Sequence, residues 1–557
     1  MKITGAQAVM ESLLKEKVKV IFGYPGGANM AIYDALYDYT DKIRHILVRH
    51  EQGATHAAEG YARITGKAGV CFATSGPGAT NLVTGIADAM MDSIPLVCIT
   101  GQVAASLIGT DAFQETDVIG ITSPITKWNY QITKVEEIPE IFAKAFFIAQ
   151  NGRPGPVVID ITKDAQFKIF NFNYPKKFQL KKLLLKVPSN RELKIAVDII
   201  NQAKKPFLVV GHGVLIANAS FELTKFIEKS GIPVAATLHG LGAVSSEHNN
   251  YVGMVGMHGN YSPNKLTNQA DVIIAVGMRF DDRVTSTIST YAPNAKVIHI
   301  DIDDSEINKN IKTYVGLVGD AKIVLTKMLY FLKKNNYQTW LNEFKKLESY
   351  AKKIVYNQPK KLRITQQEVI SMISDKTKGE AIIVSDVGQN QMFSARYYQY
   401  KNPNSYITSG GLGTMGFALP ASMGVKIAAP NKQVIAVIGD GGFQMTIQEL
   451  GTIFQEKLPI KILILNNEYL GMVRQWQEMF FEKRYSFTHM QNPDFITISK
   501  GYGIPAKLVT ERNELEKAVD KFLLDEGPNL LEVRVEKENN IFPMIPPGAA
   551  VDEVIIE

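Results

Sequence analysis

The chain has 557 residues, 45% of them hydrophobic and 21% charged, the balance of a soluble globular protein with room for roughly three to four domains. Its 61 basic and 55 acidic residues leave a formal net charge of +6, too little over this length for a dedicated nucleic-acid or membrane-surface binder. No apolar run approaches the ~18–20 residues of a membrane span, and two cysteines, Cys71 and Cys98, rule out a disulfide framework or a cysteine metal site.

The N-terminal MKITGAQAVMESLL runs straight into an amphipathic pattern, with neither a signal core nor an Arg/Ser-rich transit segment, so a cytoplasmic enzyme is expected. Three stretches alternate β-branched runs with helical patterns, which predicts α/β architecture: three doubly wound parallel-sheet domains. In the first domain, residues 1–167, a strand over 70–73 turns at Ser75-Gly76-Pro77-Gly78 into a helix ending near Met91, and a strand follows over 96–100. Residues 168–187 are Lys-rich and aperiodic and read as a linker with a solvated face. In the second domain, 188–336, a strand over 207–210 leads into Gly211-His212-Gly213 and a helix to Lys229. Strands over 272–276 and 297–300 end in Met278-Arg279-Phe280-Asp281-Asp282-Arg283 and Asp301-Ile302-Asp303-Asp304. A charged linker helix falls within 337–364. In the third domain, 365–540, a strand over 434–438 meets Gly439-Asp440-Gly441-Gly442, a helix follows to Gln455, and a strand over 460–465 ends at Asn466-Asn467. The tail, 541–557, carries Pro543, Pro546 and Pro547 and cannot be a long helix.

The third domain carries the strongest chemical signal. Asp440 and Asn467 stand at the carboxyl ends of neighbouring predicted strands, the usual ligand edge of a parallel sheet. A carboxylate and an amide oxygen suit a hard cation such as Mg²⁺, bound together with phosphates. The glycines, and a helix starting near Thr446, offer backbone amides to a diphosphate. Taken singly, the motifs also read as an Asp-Gly turn and an Asn-Asn turn. Glu51, in Val48-Arg49-His50-Glu51-Gln52-Gly53-Ala54, is either a surface glutamate opening a helix over 52–61 or an acid/base group whose pKa burial would raise. Gly211-His212-Gly213 is a plain turn or half a nucleotide fingerprint, and Asp301 could meet a ribose hydroxyl.

The Gly-Asp-Gly and Asn-Asn pair resembles the metal motif of thiamine diphosphate enzymes. The blocks Gly23-Tyr24-Pro25-Gly26-Gly27, Ser75-Gly76-Pro77-Gly78-Ala79-Thr80-Asn81, Gly109-Thr110-Asp111-Ala112-Phe113-Gln114-Glu115, Gly256-Met257-His258-Gly259, Arg279-Phe280-Asp281-Asp282-Arg283, Ser409-Gly410-Gly411-Leu412-Gly413-Thr414-Met415-Gly416 and Leu470-Gly471-Met472-Val473-Arg474-Gln475-Trp476 narrow it. From about residue 4 to 547 they resemble, in order, the acetohydroxyacid synthase (acetolactate synthase) catalytic-subunit family. The resemblance implies Mg²⁺ on Asp440, Asn467 and the carbonyl of Tyr469. It implies Glu51 on the aminopyrimidine nitrogen of thiamine diphosphate, the Gly413 carbonyl on the 4′-amino group and Met415 beneath the bent cofactor. Gln389 and Asn390 would lie near the diphosphate, with Tyr24, Pro25, Gly26, Pro77, Asn81, Gly441, Gly442, Gly471 and Met472 completing the cofactor site. Phe113 and Gln114 would face the active centre, Lys163 the substrate entrance, and Arg283, Trp476 and Met257 the second 2-oxo acid. A guanidinium suits that acid's carboxylate, and an indole supplies apolar area for an extra methylene. Met415 also reads as a core gap-filler, Arg283 as an ion-pair partner of Asp281 or Asp282, and Trp476 and His258 as packed core residues.

For the middle domain the family implies FAD, mainly structural, on Arg153, Gly211, Gly213, Met257, His258, Gly259, Arg279, Asp281, Arg283, Asp301, Ile302 and Asp320. The implied activity decarboxylates pyruvate and joins its remaining two carbons to pyruvate or 2-oxobutanoate, the first common step toward valine, leucine and isoleucine. A site shared between Glu51 of one chain and the metal motif of another implies a homodimer or a homotetramer. A separate small regulatory subunit is implied by family, and no nucleic-acid or membrane partner. The rival class is a thiamine- and FAD-dependent pyruvate oxidase, against which Arg283 and Trp476 argue. The resemblance places the tail 541–557 over the active site, and Ala104-Ala105-Ser106 and Pro547-Gly548-Ala549 depart from the family pattern and bear on inhibitor sensitivity and the geometry of the channel loops.

Overall fold

Runs such as Val272–Val276 and Ile460–Asn466 are apolar on both faces, and they form central strands of parallel sheets covered by helices on each side. The computed structural model describes residues 1–175, 186–356 and 363–557 and contains three six-stranded sheets of this kind. The first has the order Arg44–Leu47, Val20–Gly23, Gly69–Ala73, Leu96–Gln102, Pro156–Thr162, Trp128–Ile132. The second runs Tyr251–Met254, Val234–Ala236, Pro206–Val210, Val272–Val276, Lys296–Asp301, Val315–Val318, and the third Tyr406–Thr408, Ile382–Ser385, Val434–Gly439, Ile460–Asn466, Asn529–Arg534, Ala506–Val509. Every pairing within them is parallel, so the expected class of three doubly wound α/β sheets is the one observed.

In each sheet the chain fills one side of its first strand and then crosses to the other. The loops leaving the carboxyl ends diverge at that reversal, which opens a crevice for a ligand. The crevices lie between residues 24–26 and 74–78, between 211–213 and 277–279, and between 386–390 and 439–442. These are the segments that held the sequence motifs.

Each sheet unit opens on a capped helix. Thr4 with Gln7, Ser189 with Glu192 and Thr365 with Glu368 form reciprocal capping boxes at Gly5–Lys15, Asn190–Gln202 and Gln366–Thr377. The units share cores. One apolar cluster runs from Phe22 and Ala57 into Phe417, Ile438 and Ile464, and another joins Phe207 and Phe344 to Ile383 and Val437. The helices Glu51–Thr65 and Ala418–Ala428 touch backbone to backbone: a carbon added to Gly424 would lie 1.7 Å from the Ala57 carbonyl oxygen.

The helix expected to start near Thr446 starts instead at Asp440. Asp440–Met445 breaks at Thr446, whose φ of −134° and ψ of 23° are not helical, and Leu450–Gln455 resumes after a 3-10 turn. The stretch read as a linker after residue 167 opens with a strand, Ile169–Asn171, paired antiparallel to Lys2–Thr4; the lysines within 176–185 lie outside the described residues. The charged helix Gln338–Ala351 packs Trp340 and Phe344 into the core, with Trp340 Nε1 donating to the Pro206 carbonyl at 3.0 Å. The end of that second linker, 357–362, also lies outside the described residues. The tail bridges the third and middle domains: Ile541 N–H donates to Gln475 Oε1 at 3.0 Å and Ile545 N–H donates to the Met257 carbonyl. Cys71 and Cys98 are buried free thiols in register on neighbouring strands. Among the described residues no helix is long and apolar enough to cross a membrane.

Candidate active site

At the reversal of the third sheet, Val434–Gly439 delivers Asp440 and Ile460–Asn466 delivers Asn467 to one cavity of about 60 Å³. The Asp440 Oδ2 accepts from Asn492 Nδ2 at 2.7 Å. Burial pushes this carboxyl up to about 6, against the pull of that hydrogen bond. A cation beside it would replace the lost hydration and restore the charged form. The Asn467 Oδ1 accepts from Tyr469 N–H at 3.1 Å and its Nδ2 donates to Gln389 Oε1 at 3.2 Å, which orients the amide. Asn390 Nδ2 donates to the carbonyls of Asp386 and Val437 and ties its helix to the sheet. Met415, Gly441, Gly442, Tyr469, Gly471 and Met472 complete the wall. A carbon added to Gly471 would lie 2.2 Å from Gln389 Oε1, so a side chain there would displace the glutamine. Gly413 lies on the adjoining exposed loop at φ +75°, a conformation glycine adopts without steric cost.

The first sheet's crevice holds a second group. Glu51 is the first residue of Glu51–Thr65, and His50 caps the helix by accepting from Gln52 N–H at 3.2 Å. Asn81 Nδ2 donates to Glu51 Oε2 at 3.0 Å, and Glu51 is half-buried. The loop 24–26 is braced by Asn29, whose Oδ1 accepts from Gly26 N–H at 2.8 Å. Tyr24 is exposed beside it, as is Pro25. Pro77 starts the short helix Pro77–Thr80, and the turn before it packs on Gln114, 2.9 Å from a carbon added to Gly76. Phe113 stands 87% exposed and Lys163 is exposed at the start of Lys163–Phe167.

The middle sheet's crevice is a cavity of about 290 Å³. Arg153, Gly213, Arg279, Asp281, Asp301, Ile302 and Asp320 line it. Burial pushes the Asp301 carboxyl up to about 6, while its Oδ1 accepts from Asp303 N–H at 2.9 Å. Arg153 Nη1 lies 2.8 Å from Glu306 Oε1. Gly211, Met257, His258, Gly259 and Arg283 are outside this lining. Met257 N–H donates to the Arg283 carbonyl, placing those segments side by side near the tail, and His258 is buried. Arg283 is exposed, with Nε 3.6 Å from Asp282 Oδ2. Trp476 lies on Gly471–Phe480, half-buried, its ring 5.3 Å from that of Phe480.

The cavity at Asp440 has no wall from the first sheet: neither Glu51 nor any residue of 24–26 or 75–81 lines it. Within one chain Glu449 ties the third unit to the segment before Glu51. Its Oε1 accepts from the N–H groups of Arg49 at 3.0 Å and His50 at 3.1 Å, just before Glu51. Sequence reasoning missed this residue, Asn492, Asn29 and Asp386. Asp386 accepts from the N–H groups of Gly416 at 2.9 Å and Ala418 at 3.0 Å and so fixes the turn after Met415. Its place at a strand end was a readable signal; Asn492 and Glu449 reach the site from loop and helix positions that no local pattern marks.

Residues 3–121 match the family described as thiamine pyrophosphate enzyme, N-terminal TPP binding domain. Residues 193–328 match the central domain of the same enzymes and 386–533 their C-terminal TPP binding domain. The chain is 46% identical to an acetolactate synthase large subunit of Corynebacterium glutamicum, covering 99% of this chain and 90% of that protein. It is 45% identical to the acetolactate synthase isozyme 2 large subunit of Escherichia coli, over 99% of both chains. A large subunit from Lactococcus lactis is 45% identical over 99% of this chain and 96% of its own.

Proposed function

The chain belongs to the acetolactate synthase large-subunit family of thiamine pyrophosphate enzymes, and from that premise we propose that it decarboxylates pyruvate and joins the remaining two-carbon unit to a second 2-oxo acid. Pyruvate as acceptor gives 2-acetolactate and 2-oxobutanoate gives 2-aceto-2-hydroxybutanoate, on the way to the branched-chain amino acids. The observation that carries this reading is the meeting of Asp440, Asn467 and Gly471 in one cavity at the reversal of the third sheet.

Thiamine diphosphate, when bound, supplies the electron sink that makes loss of CO2 and attack on the acceptor feasible. Asp440, Asn467 and the Tyr469 carbonyl hold Mg²⁺; the hard oxygen donors and the raised Asp440 carboxyl support this assignment. Glu51 would exchange a proton with the aminopyrimidine nitrogen, and the Asn81 amide, donating to its Oε2, would hold the carboxylate for that task. Gly413 and Met415 sit on the loop that Asp386 anchors, which supports their roles beside the pyrimidine. Arg283, exposed, with Nε 3.6 Å from Asp282 Oδ2 and Nη1 3.3 Å from Met257 Sδ, would turn to pair with the acceptor carboxylate, and Trp476 would present apolar area to its alkyl group. The middle cavity takes FAD. Its two guanidinium groups, Arg153 and Arg279, suit a diphosphate, and Asp301 at the end of Lys296–Asp301 suits a ribose hydroxyl. The assignments of Gly211, Met257, His258 and Gly259 to FAD rest on resemblance alone.

Glu51 and Asp440 face different crevices, so a complete site needs two chains, and the relatives' name "large subunit" supports a separate small subunit. The test is incubation with pyruvate, thiamine diphosphate, Mg²⁺ and FAD, with products identified by NMR and oxygen recorded. Acetolactate without stoichiometric oxygen loss is expected. Acetate or acetyl phosphate with oxygen consumption would move the activity to an oxidase.

A further inference from the structure

Asp92 stands where loops of all three sheets meet. It ends the helix Val83–Asp92 and is buried. Its Oδ2 accepts from Arg63 Nη2 at 2.7 Å and from Gly410 N–H at 3.1 Å, and its Oδ1 accepts from Gly411 N–H at 2.7 Å. One turn earlier, Asp88 Oδ1 accepts from Ser409 Oγ at 2.6 Å, and that hydroxyl oxygen accepts from Thr414 N–H at 2.8 Å. Two carboxylates of one first-domain helix therefore hold the loop that carries Gly413 and leads to Met415. On its other side Asp92 forms part of the wall of the middle cavity, with His212 and His239. His239 Nε2 lies 3.0 Å from Asp92 Oδ1, and His212 Nδ1 lies 3.1 Å from the Asp92 carbonyl oxygen. The two rings stack with centroids 5.2 Å apart. The His239 ring also presses on the loop itself, since a carbon added to Gly410 would meet its Nε2 at 2.1 Å.

We propose that Asp92 and His239 are positioning residues that couple the middle cavity to the thiamine-binding loop, so that FAD and thiamine diphosphate bind cooperatively. This rests on the flavin reading of that cavity. His239 is the only side chain named here that touches the cavity, Asp92 and Gly410 together. A ligand filling the cavity confines the imidazole against the carboxylate and the glycine. Without one, the ring keeps its stacking on His212 and its 3.0 Å approach to Asp92 but is not confined from the cavity side. Both ligands thus bias one element, the 409–414 loop, which is the physical content of a coupling free energy. The coupling is reciprocal, so each cofactor tightens the other by the same factor.

The test is calorimetric titration of thiamine diphosphate into the flavin-free chain with Mg²⁺, with and without saturating FAD, for the parent, His239→Leu and His239→Gln. In the parent, FAD is expected to tighten thiamine diphosphate binding about tenfold. The ratio falls toward one in His239→Leu and returns in His239→Gln, which keeps a donor toward Asp92. Hydrogen exchange across 409–414 slows on FAD addition in the parent and in His239→Gln, but not in His239→Leu. A His239→Leu protein that binds flavin and keeps the parental ratio overturns the coupling alone. A parent that binds no flavin overturns both the coupling and the flavin reading.

Discussion

Two carboxylates at the start of Glu51–Thr65 have different work. Glu51 meets Asn81 and is half-buried, whereas Glu449, from the third domain, is wholly buried and accepts from the amides of Arg49 and His50 and from the Thr452 hydroxyl. Loss of a positioned acid/base group costs about 10²–10⁴ in rate. Glu51→Gln is therefore expected to lower kcat by that order while thiamine diphosphate still binds by calorimetry; near-normal turnover in Glu51→Ala would remove the residue from the mechanism. Glu449 tests differently. Burial lifts its carboxyl from 4.5 to about 7. The native chain therefore keeps a proton that the unfolded chain has released. The favourable contribution of this group is complete below about pH 4 and is lost as pH rises through about 7. Glu449→Gln, neutral at every pH and still an acceptor, is expected to flatten the fall of Tm between about pH 5 and pH 8. An unchanged slope would place the pH dependence in other groups.

The helices Glu51–Thr65 and Ala418–Ala428 are close because their facing residues are small. Gly60 meets the Ala421 carbonyl, and a carbon there would lie 2.1 Å from its oxygen. The same contact at Gly424 is tighter, and a backbone carbonyl cannot swing aside as a side chain does. Gly424→Ala is expected to cost about 1–3 kcal/mol, the usual range for overpacking. A lowered Tm by calorimetry would report it, and a Tm equal to the parent's would mean that the helices separate at little cost. The capping boxes that open each sheet unit are the opposite case. They are local, Thr/Ser followed three residues later by Gln or Glu, and they need nothing from the rest of the chain.

A site split between sheet edges predicts how whole molecules complement one another. Glu51→Ala and Asp440→Asn chains should each be inactive alone. In a mixed dimer, one of the two sites combines the intact glutamate of one chain with the intact metal motif of its partner. Random pairing of equal amounts then gives about a quarter of parental activity, by the symmetry of a two-fold dimer. Mixtures as inactive as their components would mean that each chain builds its own site. What the amino-acid sequence determined was local: apolar runs of strand length, the glycine turns beyond them, and Asp440, Asn467 and Glu51 near their ends. Those follow from side-chain period and backbone sterics, which act within a few residues. Only the tertiary structure decided which strand end faces which. The reversal of strand order brings 386–390 beside 439–442, and helix packing sends Glu449 to Arg49 and Asp92 to Gly410. Those contacts join residues about fifty to four hundred positions apart through burial and hydrogen bonding, so no local pattern in the chain marks them.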